Sequence, residues 1–496
     1  MELKTILAGL ENLKVKGNLD IEVNNLTNNS KKVKDKDFFV AIKGFDEDGH
    51  DHINEAIKNG AVAILAQEDQ IDKNIIKNIP ENVTLVLSPN TRYALAICSC
   101  NFYDNPSRKF KLIGVTGTKG KTTTTYMIRD ILEKHGIRVG LIGTVASYVG
   151  DKKIANNENT TPESIKIQEI FSLMLKEKCE VVVMEVSSQS LKLDRVVGCD
   201  FDIGVFTNFA EDHISLKEHD SMEDYFNSKV KLFKMCKKGF INADDVYAAM
   251  VPKLVPECSF TTFGIDNYCD LLGKDITVTN QYVDFKVKIN DRNERIKVSI
   301  PGRFSVYNAL VAIDVAMQFG CSSDEIKEAL VNIRVPGRSE LVDNKLGLTI
   351  MIDYAHTPES LEKILSTVKI YTRGRVISVF GCGGERDKYK RPMMGEVSGR
   401  VADYTIITSD NPRTEDPKEI VNNIEEGIKK TKGKYEVIVD RKEAIRKAIT
   451  MANKRDIIVL AGKGHEQYQE INKVRYPFDE NEIVNSIVDE IVESKK

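Results

Sequence analysis

Between the apolar run KLIGV and a helical pattern lies TGTKGKTTTT, which brings together Gly117, Thr118, Lys119, Gly120, Lys121, Thr122 and Thr123. Glycines at 117 and 120 let backbone N–H groups approach an anion, and the start of the following helix adds its dipole. Lys121 brings a point charge, and the Thr122 hydroxyl can ligate Mg²⁺. That is the chemistry of holding a nucleoside triphosphate. The loop departs from GxxxxGK[ST] at one place, since Val115 stands where the first glycine would be. Two later strand ends offer metal partners, Glu185 in VVVMEVSSQS and His213 in TNFAEDHI. Taken alone, a glutamate or histidine in a loop is usually a solvated or structural residue. Their position on the two strands after the loop favours a metal role, because a second-strand carboxylate commonly completes a nucleotide-bound magnesium site.

These groups need a scaffold that gathers strand ends. Short β-branched runs lead into helical patterns along most of the chain, the alternation expected of α/β architecture with parallel sheets. The helix after the phosphate loop is expected to run to about His135, with Gly136 as its stop. Strands are expected near RVGLIGT, CEVVVMEVSS and DFDIGVFTN, and later at TIMIDYAHTP, RVISVFGCGGERD, DYTIITSDNPR and DIIVLAGKGHE. In nearly all of them the polar residues follow the apolar run, at the carboxyl end where open α/β sheets bind ligands.

At 496 residues the chain exceeds one hydrophobic core. Polar, proline- and glycine-bearing stretches at NFYDNPSRKFK and NIRVPGRSE divide it into residues 1–108, 109–334 and 335–496. A net charge of −3 with 29% charged residues gives no basic excess for nucleic acid. No run of 18 apolar residues and no signal core appears, so no membrane insertion and a cytoplasmic location are expected. Nine scattered cysteines without a CxxC pair read as buried free thiols.

Ten segments in order, TGTKGKTTT, NTTPE, EVSSQSLKLDR, TNFAEDHI, YFNSKVKLF, PGR, DYAHTP, GCGGERD, SDNPR and GKGHE, resemble the Mur ligase family. The stretch from residue 28 to 65 is similar to that family's uridine-nucleotide domain, so the resemblance covers essentially the whole chain. It implies an N-terminal uridine-nucleotide domain, a central P-loop ATPase domain with a parallel sheet, and a C-terminal Rossmann-like domain that brings an amino acid. The implied activity is ATP-dependent amide ligation in peptidoglycan synthesis, in which a substrate carboxylate takes the γ-phosphate and an amine then displaces it. Cofactors would be ATP and Mg²⁺, and the enzyme a monomer.

Carried over by the resemblance, Ser30 would contact the uridine end of UDP-N-acetylmuramoyl-L-alanyl-D-glutamate. Thr160, Thr161, Ser187 and Arg195 would hold its peptide end. Asn308, Arg338 and Asp353 would contact ATP, with Arg338 a charge clamp on the γ-phosphate and His356 a further possible contact. Lys229 would be carbamylated, an anion helping to place Mg²⁺, although by itself NSKVKLF is a helix face with two lysines, Lys229 and Lys231, each readable as solvated.

The DNPR form resembles diaminopimelate-adding members, so meso-diaminopimelate is the expected amino acid. Asp410, Asn411, Pro412 and Arg413 form the motif, with Asn411 and Arg413 on the far carboxylate. The Gly462 backbone and Glu466 would take the far ammonium, and Arg386 the carboxylate of the reacting end. As structure alone, Asp-Asn-Pro-Arg is also a plain turn. Gln189, Leu193 and Lys119 depart from common family residues, and no peptide contact is assigned to the first two. The alternatives are the same ligase chemistry with L-lysine or another diamino acid, a folate or amidating relative, or a P-loop NTPase that moves a partner.

Overall fold

A computed structural model describes residues 1–45, 47–211 and 218–494. It packs as two compact units, residues 1–271 with 311–321, and residues 272–310 with 322–496. The first unit holds two sheets. In the five-stranded one, Thr84–Ser88, Ala61–Gln67, Asp37–Val40 and Asn25–Thr27 run parallel and Lys14–Lys16 closes the edge antiparallel.

The second sheet of this unit has nine strands, and Lys111–Thr116, the strand feeding the phosphate loop, is interior. Its neighbours are Val181–Glu185 and Phe201–Phe206, both parallel, with Glu185 opposite Val115 and Phe206 opposite Thr116. Val139–Ile142 lies on the far side of Val181–Glu185. Val-Val-Val-Met-Glu is buried at all five positions, the continuous apolar run expected of a parallel strand covered on both faces. The helix Lys121–Lys134 follows the loop and ends at His135, after which Gly136 takes φ +91°, the left-handed stop that glycine accommodates.

In the second unit, Thr349–Asp353, Ile457–Ala461, Val376–Phe380, Tyr404–Ile407 and Tyr435–Val437 are neighbouring parallel strands, with Glu340–Leu341 antiparallel at the edge. Asp353 and Phe380 both stand opposite Ala461, and Ile407 opposite Phe380, so four strands end at one level. The expected strands of the last region are all present. Two antiparallel pieces of the unit were not anticipated: a three-stranded sheet over Lys274–Val278, Val283–Ile289 and Arg292–Val298, and the hairpin Tyr468–Ile471 with Val474–Pro477. All nine cysteines are free, and eight of them are buried.

Candidate active site

The phosphate loop is clamped by the segment after Phe201–Phe206. Thr207 Oγ1 and Asn208 Nδ2 both donate to Lys119 O, at 2.7 and 2.9 Å, while Thr118 N donates to Asn208 O and Lys119 N to Asn208 Oδ1. Gly117 has φ +140°, and a Cβ there would lie 2.0 Å from Thr207 Oγ1, so glycine is required twice over. The Thr and Asn of TNF therefore serve as braces of the loop.

Two ammonium groups meet at the Gly117 carbonyl. Lys121 Nζ donates to Gly117 O at 2.9 Å and to Thr118 O at 3.1 Å, and Lys229 Nζ donates to Gly117 O at 3.0 Å. Lys229 is 1% exposed on the helix Met222–Val230 and sits 4.4 Å from the centre of the Tyr225 ring, whose hydroxyl lies 3.1 Å from Thr118 Oγ1. Lys231, two residues on, is exposed and reaches Leu191 O. Burial thus separates the two lysines that the sequence left equivalent, and only Lys229 belongs to the loop.

Glu185, 1% exposed, ends its strand among hydroxyls and an amide. Thr144 N donates to Oε1 at 2.8 Å, and Thr122 Oγ1 and Thr144 Oγ1 donate to Oε2 at 3.0 and 3.1 Å. Gly143 makes room, for a Cβ there would stand 2.3 Å from Glu185 Oε1. Neither Gly143 nor Thr144 was singled out by sequence; RVGLIGT showed only a strand. The pair of a helix-first-turn hydroxyl and a buried carboxylate suits Mg²⁺, a hard ion that takes few protein oxygens and completes its shell with phosphate and water. His213, the third expected ligand, lies outside the described residues.

Around Thr161 the expected peptide-binding residues come together. Thr161 Oγ1 donates to Glu185 O at 2.8 Å and accepts from Ser187 N at 2.9 Å, and Thr160 Oγ1 lies 3.1 Å from Thr144 Oγ1. The buried Arg195 donates from Nη1 to Thr161 O and pairs through Nη2 with Glu163 at 2.6 Å. Ser187 caps the helix Ser188–Lys192, which carries Gln189 and ends at Leu193. Ser30, in the five-stranded region, is buried and donates to Glu55 Oε2 at 2.5 Å.

In the second unit Asn308 is buried on the helix Phe304–Met317. The Arg338 guanidinium stands 4.8 Å from the centre of the Tyr354 ring. Asp353 accepts from Ser339 N at 2.8 Å and Ala355 N at 2.9 Å; burial pushes its carboxyl up, against the pull of Arg338. His356 is exposed and donates from Nδ1 to Tyr354 O.

The motifs at the ends of Val376–Phe380, Tyr404–Ile407 and Ile457–Ala461 meet. A Cβ on Gly383 would lie 3.0 Å from Arg413 Nη1, 3.7 Å from Arg386 Cγ and 3.8 Å from Asn411 O, so two guanidinium side chains converge beside bare backbone. Arg386 is exposed; Arg413 is half-buried, at φ +52°, with Nη1 donating to Gly384 O. Pro412 packs its carbonyl against Gly384, and Gly462 lies against Asp410. Asn411 Nδ2 donates to Glu466 Oε2 at 2.7 Å, and its Oδ1 accepts from Lys463 Nζ at 3.1 Å and Glu470 N at 3.0 Å. Lys463 is fully buried and was not singled out, although AGKGHE displays it between two glycines.

Residues 22–103 match the Mur ligase family catalytic domain, residues 115–316 the Mur ligase middle domain, and residues 337–464 the Mur ligase glutamate ligase domain. The chain is 49% identical over 491 residues, 99% of each sequence, to the UDP-N-acetylmuramoyl-L-alanyl-D-glutamate--2,6-diaminopimelate ligase of Caldanaerobacter subterraneus subsp. tengcongensis. It is 44% identical over 494 residues, 99% of this chain and all of the other, to ligase 1 of the same name from Clostridium acetobutylicum. A solved structure of a ligase with that name superposes with a TM-score of 0.71 at 27% identity, covering 99% of both chains. With the phosphate loop, its acidic partner and all three domain matches in place, the chain belongs to the Mur ligase family.

Proposed function

We propose that this protein is an ATP-dependent ligase that joins meso-2,6-diaminopimelate to UDP-N-acetylmuramoyl-L-alanyl-D-glutamate in peptidoglycan synthesis. The observation that carries the reading is the set of charged strand ends, Arg386, Arg413 and Glu466, in a chain that is 49% identical along its length to a diaminopimelate ligase. The domain boundaries near residues 108 and 334 belong to the same proposal, and three separate domain matches support them.

The chemistry must bring a carboxylate to a triphosphate, two anions that repel. Lys121 and the loop amides bind the phosphates, and Arg338, Asp353 and Asn308 are the proposed nucleotide contacts of the second unit. Thr122 and Glu185, with His213, would hold Mg²⁺, which supplies charge neutralisation at the transferred phosphoryl group. Thr160, Thr161, Ser187 and Arg195 would orient the peptide's terminal carboxylate, with Ser30 at the uridine end. Carbamylation of Lys229 would convert a buried cation beside Gly117 into an anion that would help to place the metal. Its burial beside the phosphate loop, with Nζ on Gly117 O and over the Tyr225 ring, supports that role by placing this lysine, and not the exposed Lys231, next to the loop.

Arg413 offers a fork for the far carboxylate of diaminopimelate, and Glu466 an anion for its far ammonium. L-Lysine lacks that carboxylate and would leave a guanidinium unpaired. The reaction consumes ATP, so we place the enzyme in the cytoplasm, acting as a monomer. The test is phosphate release: it should require the UDP-peptide and diaminopimelate together. Release that is equally fast with ATP alone would favour a motor-type NTPase and end this reading.

A further inference from the structure

In AGKGHE the two glycines flanking Lys463 have φ +112° and φ +55°, so the backbone kinks on either side of the lysine. A Cβ at Gly464 would lie 2.7 Å from Tyr354 Cβ and one at Gly462 2.8 Å from Asp410 Oδ2, which leaves glycine as the fitting residue at both. The effect of the double kink is that the lysine between them is turned inward and wholly buried. Its Nζ stands 5.7 Å from the centres of both the Tyr468 and the Phe478 rings.

Lys463 is a donor only, and so is the Glu470 amide; both point at the same end of the Asn411 side chain, at 3.1 and 3.0 Å. That end must be the oxygen, and the NH₂ end is then delivered to Glu466 Oε2 at 2.7 Å. The Lys463 ammonium also lies 3.5 Å from the same carboxylate oxygen. We propose that Lys463 is a positioning residue of the amino-acid site: its ammonium fixes the orientation of the Asn411 amide and holds the Glu466 carboxylate where the far ammonium of a diamino acid must bind. The proposal rests on the reading of this protein as a diaminopimelate ligase.

The charged and titratable groups around Glu466 are Lys463, Asp410, Tyr354 and Tyr468, and His465 packs on the Tyr354 ring at 5.0 Å. Burial pushes the Glu466 carboxyl up, and Lys463 opposes it while Asp410 adds to it. Without the lysine, Glu466 would take up a proton at higher pH, and a protonated carboxyl cannot pair with an ammonium. The loss therefore falls on one substrate and on one side of the pH profile.

The experiment compares the full-length wild type, Lys463→Met and Lys463→Gln in steady-state ligation with meso-diaminopimelate. Lys463→Met is expected to raise KM for diaminopimelate by about tenfold or more, with KM for ATP and for the UDP-peptide within about twofold. The acid limb of kcat/KM for diaminopimelate should move to higher pH. If the methionine variant does not fold, Lys463→Gln, which keeps an N–H donor but carries no charge, should show the same shift of the acid limb. A folded variant with unchanged KM and unchanged acid limb, or with all three KM values raised together, overturns the inference. A wild type that forms no product with diaminopimelate overturns the proposed function itself, so the two failures are distinct.

Discussion

Gly143→Ala adds one methyl group at a residue that takes no part in the chemistry, and the structure places that methyl 2.3 Å from Glu185 Oε1 and 3.0 Å from its Cδ. The clash has to be relieved somewhere. The Glu185 backbone is held from both sides, paired to Val115 on one neighbouring strand while Met184 pairs to Ile142 on the other, so it does not move cheaply. The side chain must swing, giving up at least the 2.8 Å bond from Thr144 N and shifting the oxygen that receives Thr122. Loss of one hydrogen bond to a charged group costs about 1.5–3 kcal/mol. Carried fully into the transition state, that lowers kcat/KM for ATP by about 10- to 150-fold. The half-saturating Mg²⁺ concentration should rise as well, because the displaced carboxylate is the proposed metal ligand. The assay is initial rate of phosphate release under Mg²⁺ titration at fixed UDP-peptide and diaminopimelate. A folded Gly143→Ala protein with wild-type rate and wild-type Mg²⁺ dependence would refute the placement of Glu185 in the metal site.

Two further outcomes are expected. Lys229→Ala should lose activity and regain part of it with added formate or acetate, since the missing group is an anion beside the loop; an intact mass showing unmodified Lys229 in active enzyme would count against it. Asp314 is buried with Oδ2 unpartnered, and burial pushes its carboxyl from an ordinary 3.8 to about 7, against the pull of Lys238. A carboxyl raised in the folded state binds its proton more tightly there than when unfolded, so its contribution to stability fades as pH climbs from about 4 to about 7. Asp314→Asn should therefore gain stability over the wild type near pH 8 and lose that advantage near pH 4, read by denaturant unfolding at both; a gap that does not change with pH contradicts the assignment.

Much of the frame was legible because parallel strands buried on both faces are written as apolar runs, and their polar successors mark the carboxyl ends. Glu185 could be found that way, closing VVVME, and so could the motifs that meet near Gly383. What escaped were contacts made by packing across distant segments. Lys229 and Lys231 stand two residues apart at the end of one helix, Lys231 as its C-cap, and only tertiary burial against Tyr225 and Gly117 tells them apart. Gly143 looked like one more strand residue, although it is the empty space Glu185 needs. The link that the Asn411 amide makes between Lys463 and Glu466 joins two loops and has no mark in the SDNPR motif itself. The antiparallel sheet of Val283–Ile289 with Arg292–Val298 is legible afterwards in alternating burial, but charged residues at the outward positions masked it.

The central claim is that the strand ends carrying Arg386, Arg413 and Glu466 select a diamino acid with a second carboxylate. The most direct measurement is a competition: purified protein, ATP, Mg²⁺ and UDP-N-acetylmuramoyl-L-alanyl-D-glutamate with equal concentrations of meso-diaminopimelate and L-lysine, read by product mass. Leaving the half-buried Arg413 fork without its carboxylate forfeits charge-assisted hydrogen bonding worth about 1.5–3 kcal/mol, so the diaminopimelate product should exceed the lysine product by about tenfold or more. Comparable amounts of the two products, or a majority of the lysine product, would contradict the account.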